Sequence, residues 1–144
     1  MLDKKDVQII KNYFSTIAAV ELVYLYGSQA KDTATKDSDV DLAVLVDEKK
    51  ADSLDVQLKA MSDLGSKLKR EVEVQNLNVC SITFIYRVIS EGKIVFQSNK
   101  QKRVDYEVIV MRNYFDLQPF LREYSEQLAR LARGGDIGAR PFAH

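Results

Sequence analysis

Residues 26–46, YGSQAKDTATKDSDVDLAVLV, decide how this chain folds and what chemistry it can carry. An apolar run stops at Gly27-Ser28, ten polar or small residues follow, and a second apolar run begins behind Asp39-x-Asp41. The residues after Asp41, LAVLV, are almost continuously apolar, which is typical of a strand covered on both faces. The presence of two carboxylates at the start of such a strand requires a physical explanation.

A bound cation supplies that reason. Side chains two positions apart on a strand point to the same face, so Asp39 and Asp41 project together and repel each other unless a cation lies between them. Their hard oxygen ligands suit Mg²⁺, which takes one or two carboxylates and completes its octahedron with water and substrate phosphates. Gly27 permits close backbone approach to a ligand, and the Ser28 hydroxyl and neighbouring amides can hold phosphate oxygens. The sequence therefore predicts a phosphate-holding turn beside a metal-holding strand.

A third oxygen ligand is expected from the segment EVEVQNLNV, which alternates charged and apolar residues and predicts a half-buried strand. Glu71 and Glu73 share one face of this strand. We prefer Glu73 because it lies deeper in the strand, and Glu71 is the second choice. A third carboxylate allows two metal ions to be held and a nucleophile to be activated.

Simpler interpretations of each feature remain open at this point. Asp39 and Asp41 can be a solvated strand start, Gly27-Ser28 a plain turn, and Glu73 an outward-facing residue of a half-exposed strand. Other catalytic systems are disfavoured: His144 is the one histidine and ends the sequence, and neither a P-loop nor a dinucleotide-binding glycine motif is present.

Hydrophobic periodicity predicts the remaining elements. Apolar residues at three- and four-residue steps predict amphipathic helices, and short alternating or continuous apolar runs predict strands. In order, the predicted elements are a helix in DKKDVQIIKNYFSTIAAV, strands in ELVYLYG and VDLAVLVD, a helix in SLDVQLKAMSDLGSKLKR capped by Asp52 or Ser53, the strand EVEVQNLNV, a helix from Ser81 to Gly92, an edge strand IVFQS, and helical structure from about Arg103 to Arg133. We therefore expect an α/β fold (α+β in stricter terms), with a small mixed β-sheet, packed helices and C-terminal helices.

The composition is that of one ordinary globular domain, with 144 residues, 46% of them hydrophobic and 29% charged. Twenty-one basic residues balance twenty-one acidic ones, which argues against direct nucleic-acid binding through a basic face. The one cysteine, Cys80, has no internal disulfide partner, and the sequence shows neither a signal peptide nor a membrane-length apolar run. We expect a cytoplasmic protein without membrane association.

The C-terminal part of the chain predicts a partner-binding helix. Apolar residues follow steps of three and four along a heptad-like seam: Val110, Tyr114, Leu117, Leu121, Tyr124, Leu128 and Leu131. Pro119 should kink or restart the helix. The first half of the seam can pack on the domain's own sheet, whereas the second half mixes apolar residues with arginines and suits a partner surface. We divide the chain into a core at 1–100, a helical segment at 101–134 and a flexible tail at 135–144.

The residues at the start of the chain's second strand also carry a family resemblance. Gly27-Ser28, ten residues and then Asp39-x-Asp41 resemble the signature of the DNA polymerase β-type nucleotidyltransferase superfamily. The run GSQAKDTATKDSDVDLAV is similar to its minimal nucleotidyltransferase branch, the MNT-type antitoxins. EVEVQNLN, YRVISEGKIVF and RNYFDLQPFL resemble that branch's third-carboxylate strand, its next helix-strand pair and its C-terminal helical segment, so the likeness covers roughly residues 20 to 125. The third carboxylate, commonly Asp in this branch, is Glu73 here.

The resemblance implies a polymerase β-like nucleotidyltransferase core and a function. Two Mg²⁺ ions held by Asp39, Asp41 and Glu73 would assist transfer of AMP from ATP, whose triphosphate Gly27 and Ser28 would hold. The implied acceptor is a tyrosine hydroxyl of a HEPN-type ribonuclease toxin, which the antitoxin neutralises within a hetero-oligomer. Two alternatives stay open: an aminoglycoside-type nucleotidyltransferase that modifies a small molecule, and an antitoxin that acts by binding alone.

Overall fold

The computed structural model describes residues 2–27, 30 and 39–134. Within these residues the chain order is helix, strand, strand, helix, strand, helix, strand, helix. The elements are α1 (Lys4–Ser15), β1 (Val20–Tyr26), β2 (Val40–Val46), α2 (Ser53–Leu68), β3 (Val72–Asn76), α3 (Ile82–Glu91), β4 (Lys93–Gln97) and α4 (Lys100–Arg133). The predicted α/β fold with a small mixed sheet is confirmed.

The four strands form one sheet in the order β3-β2-β1-β4. β1 pairs antiparallel with both β2 and β4, whereas β2 and β3 run parallel. The end of β1 therefore meets the beginnings of β2 and β3 at one edge of the sheet. The register is specific there, because Tyr26 on β1 lies opposite Asp41 on β2, and Asp41 lies opposite Glu73 on β3.

Each face of the sheet has its own hydrophobic core. Side chains such as Val23, Leu42 and Val74 pack on one face with Phe14 of α1 and Leu64 of α2. Since side chains alternate between faces along a strand, the neighbouring residues point the other way. Among them, Leu22, Tyr24 and Ala43 form a second core with Leu77, with Ile85 and Val88 of α3, and with Val110 of α4. The sheet is thus covered on both sides, as the apolar run after Asp41 predicted.

Polar caps fix where the helices begin. The Asp52 carboxylate accepts from Leu54 N–H at 2.8 Å at the start of α2, which selects Asp52 over Ser53 as the cap. Ser81 caps α3 and Gly92 ends it, as the sequence predicts. The last helix starts earlier than the expected Arg103, because the Asn99 side chain accepts from two backbone N–H groups and allows α4 to begin at Lys100.

The long helix α4 is attached to the sheet by its first half. The Tyr24 hydroxyl donates to Glu107 at 2.6 Å, and the Tyr86 and Tyr114 rings stack with centroids 3.8 Å apart. Val110 is buried in the second core. The helix continues through Pro119 without restarting, and every residue from Phe120 to Arg130 is exposed.

The structure thus separates the two halves of the predicted seam. Leu117 is still partly covered, whereas Leu121, Tyr124 and Leu128 are exposed. Residues 135–144, the predicted flexible tail, lie outside the described residues. Of the helices that the structure describes, none has the length and apolar character needed to cross a membrane.

Candidate active site

Three strands bring the acidic residues of the site into one row. Asp41 lies in the second position of β2, with Tyr26 opposite it on β1 and Glu73 opposite it on β3. Residues directly opposite each other in neighbouring strands present their side chains on the same face. Tyr26, Asp41 and Glu73 therefore line up across the sheet, on the face that α3 and α4 partly cover.

The Asp41 and Glu73 carboxyl groups form the centre of the site. Burial raises the pKa of Asp41 above its ordinary value, and the negative charge of Glu73, a side-chain hydrogen bond with Glu73 and the charge of Asp39 raise it further. Two carboxyl groups this close repel each other when both are ionised, and a cation between them removes that repulsion. Two oxygen donors from different strands thus converge on one point.

The other predicted acidic residues, Asp39 and Glu71, lie outside the row formed by Tyr26, Asp41 and Glu73. Asp39 lies just before β2 and is exposed, although its charge reaches Asp41. Glu71 is also exposed, and its carbonyl oxygen accepts from Val40 N–H at 3.0 Å, which begins the β2–β3 pairing. Among the residues that the structure describes, no group of three or more acidic, histidine or cysteine side chains is assembled to hold a metal ion.

Gly27 brings the end of β1 against Asp41. Its φ of +72° lies in the left-handed region, and a Cβ placed there would be 2.6 Å from the Asp41 Oδ2 atom. Any side chain at this position would collide with the carboxylate. The Gly27 carbonyl accepts from Ala30 N–H at 3.2 Å. Ser28, the other predicted phosphate-holding residue, lies outside the described residues.

Tyr26 closes the row on the side of α3. Its ring meets Phe84 edge to face, with centroids 5.7 Å apart and planes at 89°. Burial raises the pKa of the Tyr26 phenol to about 12, and the charges of Asp41 and Glu73 act in the same direction, while Arg87 opposes them. Tyr26 therefore stays neutral at physiological pH and offers an aromatic wall with a polar end.

A cavity of about 230 Å³ opens beside Asp41. The sheet contributes Tyr26, Gly27 and Asp41 to its wall, and α3 contributes Phe84, Arg87 and Glu91. Sequence reasoning missed the α3 residues. Their signal was a helical spacing of three and four residues that places one aromatic and two charged side chains on a single face. This spacing indicates part of the site only when the structure shows that α3 ends near Gly27.

The sequence of this chain matches the family described as "Polymerase beta, Nucleotidyltransferase" over residues 8–101. The chain belongs to this family. The matched region begins within α1 and ends at the start of α4, so it includes all four strands and every predicted site residue. The glycine-serine turn and the acidic strand of this nucleotidyltransferase are the features that the sequence singles out first.

Known relatives of this polymerase β-family nucleotidyltransferase include a named enzyme. The chain is 33% identical over 88 residues to the protein adenylyltransferase MntA of Shewanella oneidensis. The aligned region is 60% of this chain and 60% of MntA, so the chain spans less than two thirds of that relative's length.

Two solved structures share the fold of this nucleotidyltransferase. A chain in a crystal structure of a toxin-antitoxin with AMP-PNP is 24% identical, with a TM-score of 0.72, over 89% of this chain and 99% of the other. A chain in the complex of a tri-AMPylated Shewanella oneidensis HEPN toxin with an MNT antitoxin is 23% identical, with a TM-score of 0.65, over 85% and 98%.

Proposed function

We propose that this chain is an antitoxin that transfers AMP from ATP to a tyrosine hydroxyl of a HEPN-type toxin. The observation that carries the proposal is the convergence of the Asp41 and Glu73 carboxyl groups beside the left-handed turn at Gly27. Membership of a nucleotidyltransferase family supports the reaction class, and the similarity to MntA supports a protein acceptor.

The acidic residues fit a divalent metal ion. The Asp41 and Glu73 carboxyl groups, neighbours from different strands, are hard oxygen donors, and a cation between them relieves their mutual repulsion when both are ionised. We propose Asp39, Asp41 and Glu73 as the ligands of two Mg²⁺ ions. When bound, Mg²⁺ polarises phosphoryl oxygens and neutralises the charge that develops on the leaving group.

The chain's own residues position the substrates and move the proton. Gly27 leaves room beside Asp41 for the phosphates, since it has no side chain, and Ser28 adds a hydroxyl to the phosphate-holding turn. The tyrosine oxygen of the toxin attacks the α-phosphorus, and the bond from that phosphorus to the oxygen of the β-phosphate breaks. AMP is thereby joined to the tyrosine and pyrophosphate leaves. Glu73 accepts the proton of the tyrosine hydroxyl as general base.

The exposed half of α4 supports a docked protein as the acceptor. Phe120, Tyr124 and Leu128 are exposed apolar side chains. Arg122 lies among them, and Arg130 follows two residues after Leu128. Large apolar residues with interspersed arginines are enriched at protein interfaces. We propose that the segment 101–134 fixes the partner in a hetero-oligomer and presents its tyrosine, because the attacking oxygen must come within roughly 3–3.5 Å of phosphorus.

The experiment compares the wild-type chain with the double variant Asp39→Asn/Asp41→Asn, each co-expressed with the cognate HEPN toxin. Mass spectrometry of the toxin should show AMP-sized additions on tyrosine with the wild type and none with the variant, because the variant has lost two metal ligands. The control is Asp3→Asn/Asp55→Asn, which removes two exposed carboxylates outside both the site and the segment 101–134, and it should leave the modification unchanged. Asn at position 3 can still cap α1.

Other outcomes identify the two alternatives. An unmodified toxin that both the wild type and the site variant bind and silence equally means inhibition by occlusion. Efficient adenylylation of an aminoglycoside by the isolated chain, with no change in the toxin, means a small-molecule enzyme. Either result overturns the proposed function.

A further inference from the structure

One face of α3 forms one wall of the cavity next to Asp41. Phe84, Arg87 and Glu91 face the strand end at Gly27 and Asp41 across this space. Among the described residues of the wall, Arg87 is the one that carries a positive charge. The proposed chemistry assigns it no role so far.

Apart from Arg87, the charged residues that the structure describes in the cavity wall are negative. Asp41 and Glu91 both line the cavity, and α3 ends there with the negative end of its dipole. An anionic ligand entering this space needs a compensating cation. Arg87 is suited to that task, since a guanidinium group donates two parallel hydrogen bonds to phosphate oxygens.

Arg87 can change partner easily. Its Nε atom lies 3.3 Å from the Glu91 Oε2 atom, and its side chain is 72% exposed. An exposed pair at positions i and i+4 holds its members weakly. A phosphate group in the cavity offers Arg87 a more charged acceptor than Glu91.

The strand order tells which part of the substrate lies here. Glu73, the proposed general base, lies on one side of Asp41, and Gly27 with the cavity lies on the other. The hydroxyl must attack the α-phosphorus from the side opposite to the one on which the leaving group departs. The cavity is therefore on the side of the leaving group. Its volume of about 230 Å³ is below the roughly 300–1,000 Å³ of pockets for whole ligands, which suits a part of the nucleotide.

We propose that Arg87 binds the β- and γ-phosphates of the nucleoside triphosphate and exchanges Glu91 for them when the substrate enters. This inference rests on the proposed function and adds a substrate-binding residue to it. It assigns Arg87 to the part of ATP that leaves as pyrophosphate, so Arg87 distinguishes a triphosphate from a monophosphate.

The test measures the affinity of the full-length chain for AMP-PNP and for AMP, both with Mg²⁺, by calorimetric titration. Arg87→Ala should weaken AMP-PNP binding roughly tenfold to a hundredfold, as expected for a lost hydrogen bond to a charged group, and leave AMP binding unchanged. Arg87→Lys should recover part of the loss. Glu91→Gln should bind AMP-PNP at least as tightly as the wild type, because it removes the competing partner of Arg87.

The control is Arg112→Ala, which removes an exposed arginine of α4 and should change neither affinity. Unchanged AMP-PNP binding in Arg87→Ala, an equal loss for AMP, or weaker AMP-PNP binding in Glu91→Gln would overturn the assignment. A failure of the proposed function gives a different result. In that case the wild type binds AMP-PNP through Arg87 but adds no AMP to the toxin, so the triphosphate site exists without the proposed reaction.

Discussion

Glu71 and Glu73 lie on the same face of the chain, two positions apart, but they have different neighbours across the sheet. Glu73 lies inside β3, directly opposite Asp41, and its side chain is close enough to raise the pKa of that residue. Glu71 precedes the strand, where its backbone carbonyl accepts from Val40. A shift of two positions keeps the face but moves the carboxylate about 6–7 Å along the strand. The pairing register, not the alternation, therefore distinguishes the two.

Glu73→Gln should lower kcat by about 10²–10⁴-fold, because it removes the proposed proton acceptor, and should change the affinity for MgATP much less. The matched control is Glu71→Gln, two positions away on the same face, for which we expect a change within severalfold. Steady-state kinetics of toxin adenylylation measures both. A large loss of kcat in Glu71→Gln with normal turnover in Glu73→Gln would move the assignment to Glu71.

The raised pKa of Asp41 predicts a pH-dependent stability of the metal-free protein. A carboxyl whose pKa is higher in the folded than in the unfolded state stabilises the fold below its unfolded value and loses that stabilisation as pH rises through the folded pKa. Asp41→Asn should therefore be more stable than the wild type at neutral pH. The difference should shrink as pH falls toward about 3.9, the ordinary value for Asp.

Urea unfolding with a chelator present, repeated across the pH range, measures this difference. Asp55→Asn is the control, and it should lower the stability at neutral pH instead of raising it. Asp55 lies in the first turn of α2, where its negative charge stabilises the helix by roughly 0.3–1 kcal/mol through the helix dipole. A stability gain in Asp41→Asn that stays constant with pH would show that repacking, and not charge, is responsible.

At the scale of elements, the two halves of α4 differ: the first half packs on the sheet, and the second half is exposed to solvent. Its first half fills the second core through Val110 and is tied to β1 by the hydrogen bond from Tyr24 to Glu107. Its second half, from Phe120 to Arg130, is exposed throughout. A helix in water gains most of its stability from packing of one apolar face, so the second half stabilises the domain little.

Deleting residues 120–144 should therefore leave the unfolding free energy within about 1 kcal/mol of the wild type, while binding of the toxin is lost. Val110→Ala is the converse control, since it removes buried methyl groups from the first half. It should cost about 1–3 kcal/mol and spare toxin binding in the folded fraction. Chemical unfolding and co-purification of the toxin measure the two properties. Truncated protein that still co-purifies with the toxin would exclude the exposed half as the docking site.

At the scale of the whole molecule, the sequence predicts the elements well and their neighbours poorly. Helix periodicity and local caps such as Ser81 carry their own signal, and α3 begins and ends as predicted. The opposition of Asp41 and Glu73 has no local signal, because parallel strands are joined through a long crossover and alternation fixes only the face. Sequence reasoning could therefore place Glu71 and Glu73 on one face and prefer Glu73 for its deeper position in the strand, but it could not show which of them lies opposite Asp41.

The role proposed for Arg87 is a second example of a feature that the sequence alone does not predict. On the sequence it is an exposed residue of an amphipathic helix, and such arginines are ordinarily solvated. Its position beside Gly27 depends on α3 running back along the sheet, so that β4 can begin next to the end of β1. Only the assembled sheet turns a surface arginine into part of a cavity wall.

The parallel pairing of β2 with β3 has a consequence for the protein's synthesis. The antiparallel strands β1 and β2 leave the ribosome before β3 and bring Gly27 and Asp41 with them, but Glu73 follows only after α2 has been made. Parallel pairing across such a crossover forms slowly, because its chain ends must first be brought together. By the proposed chemistry, a nascent chain holds half of its acidic pair until the sheet is complete, so only fully folded molecules begin to consume ATP.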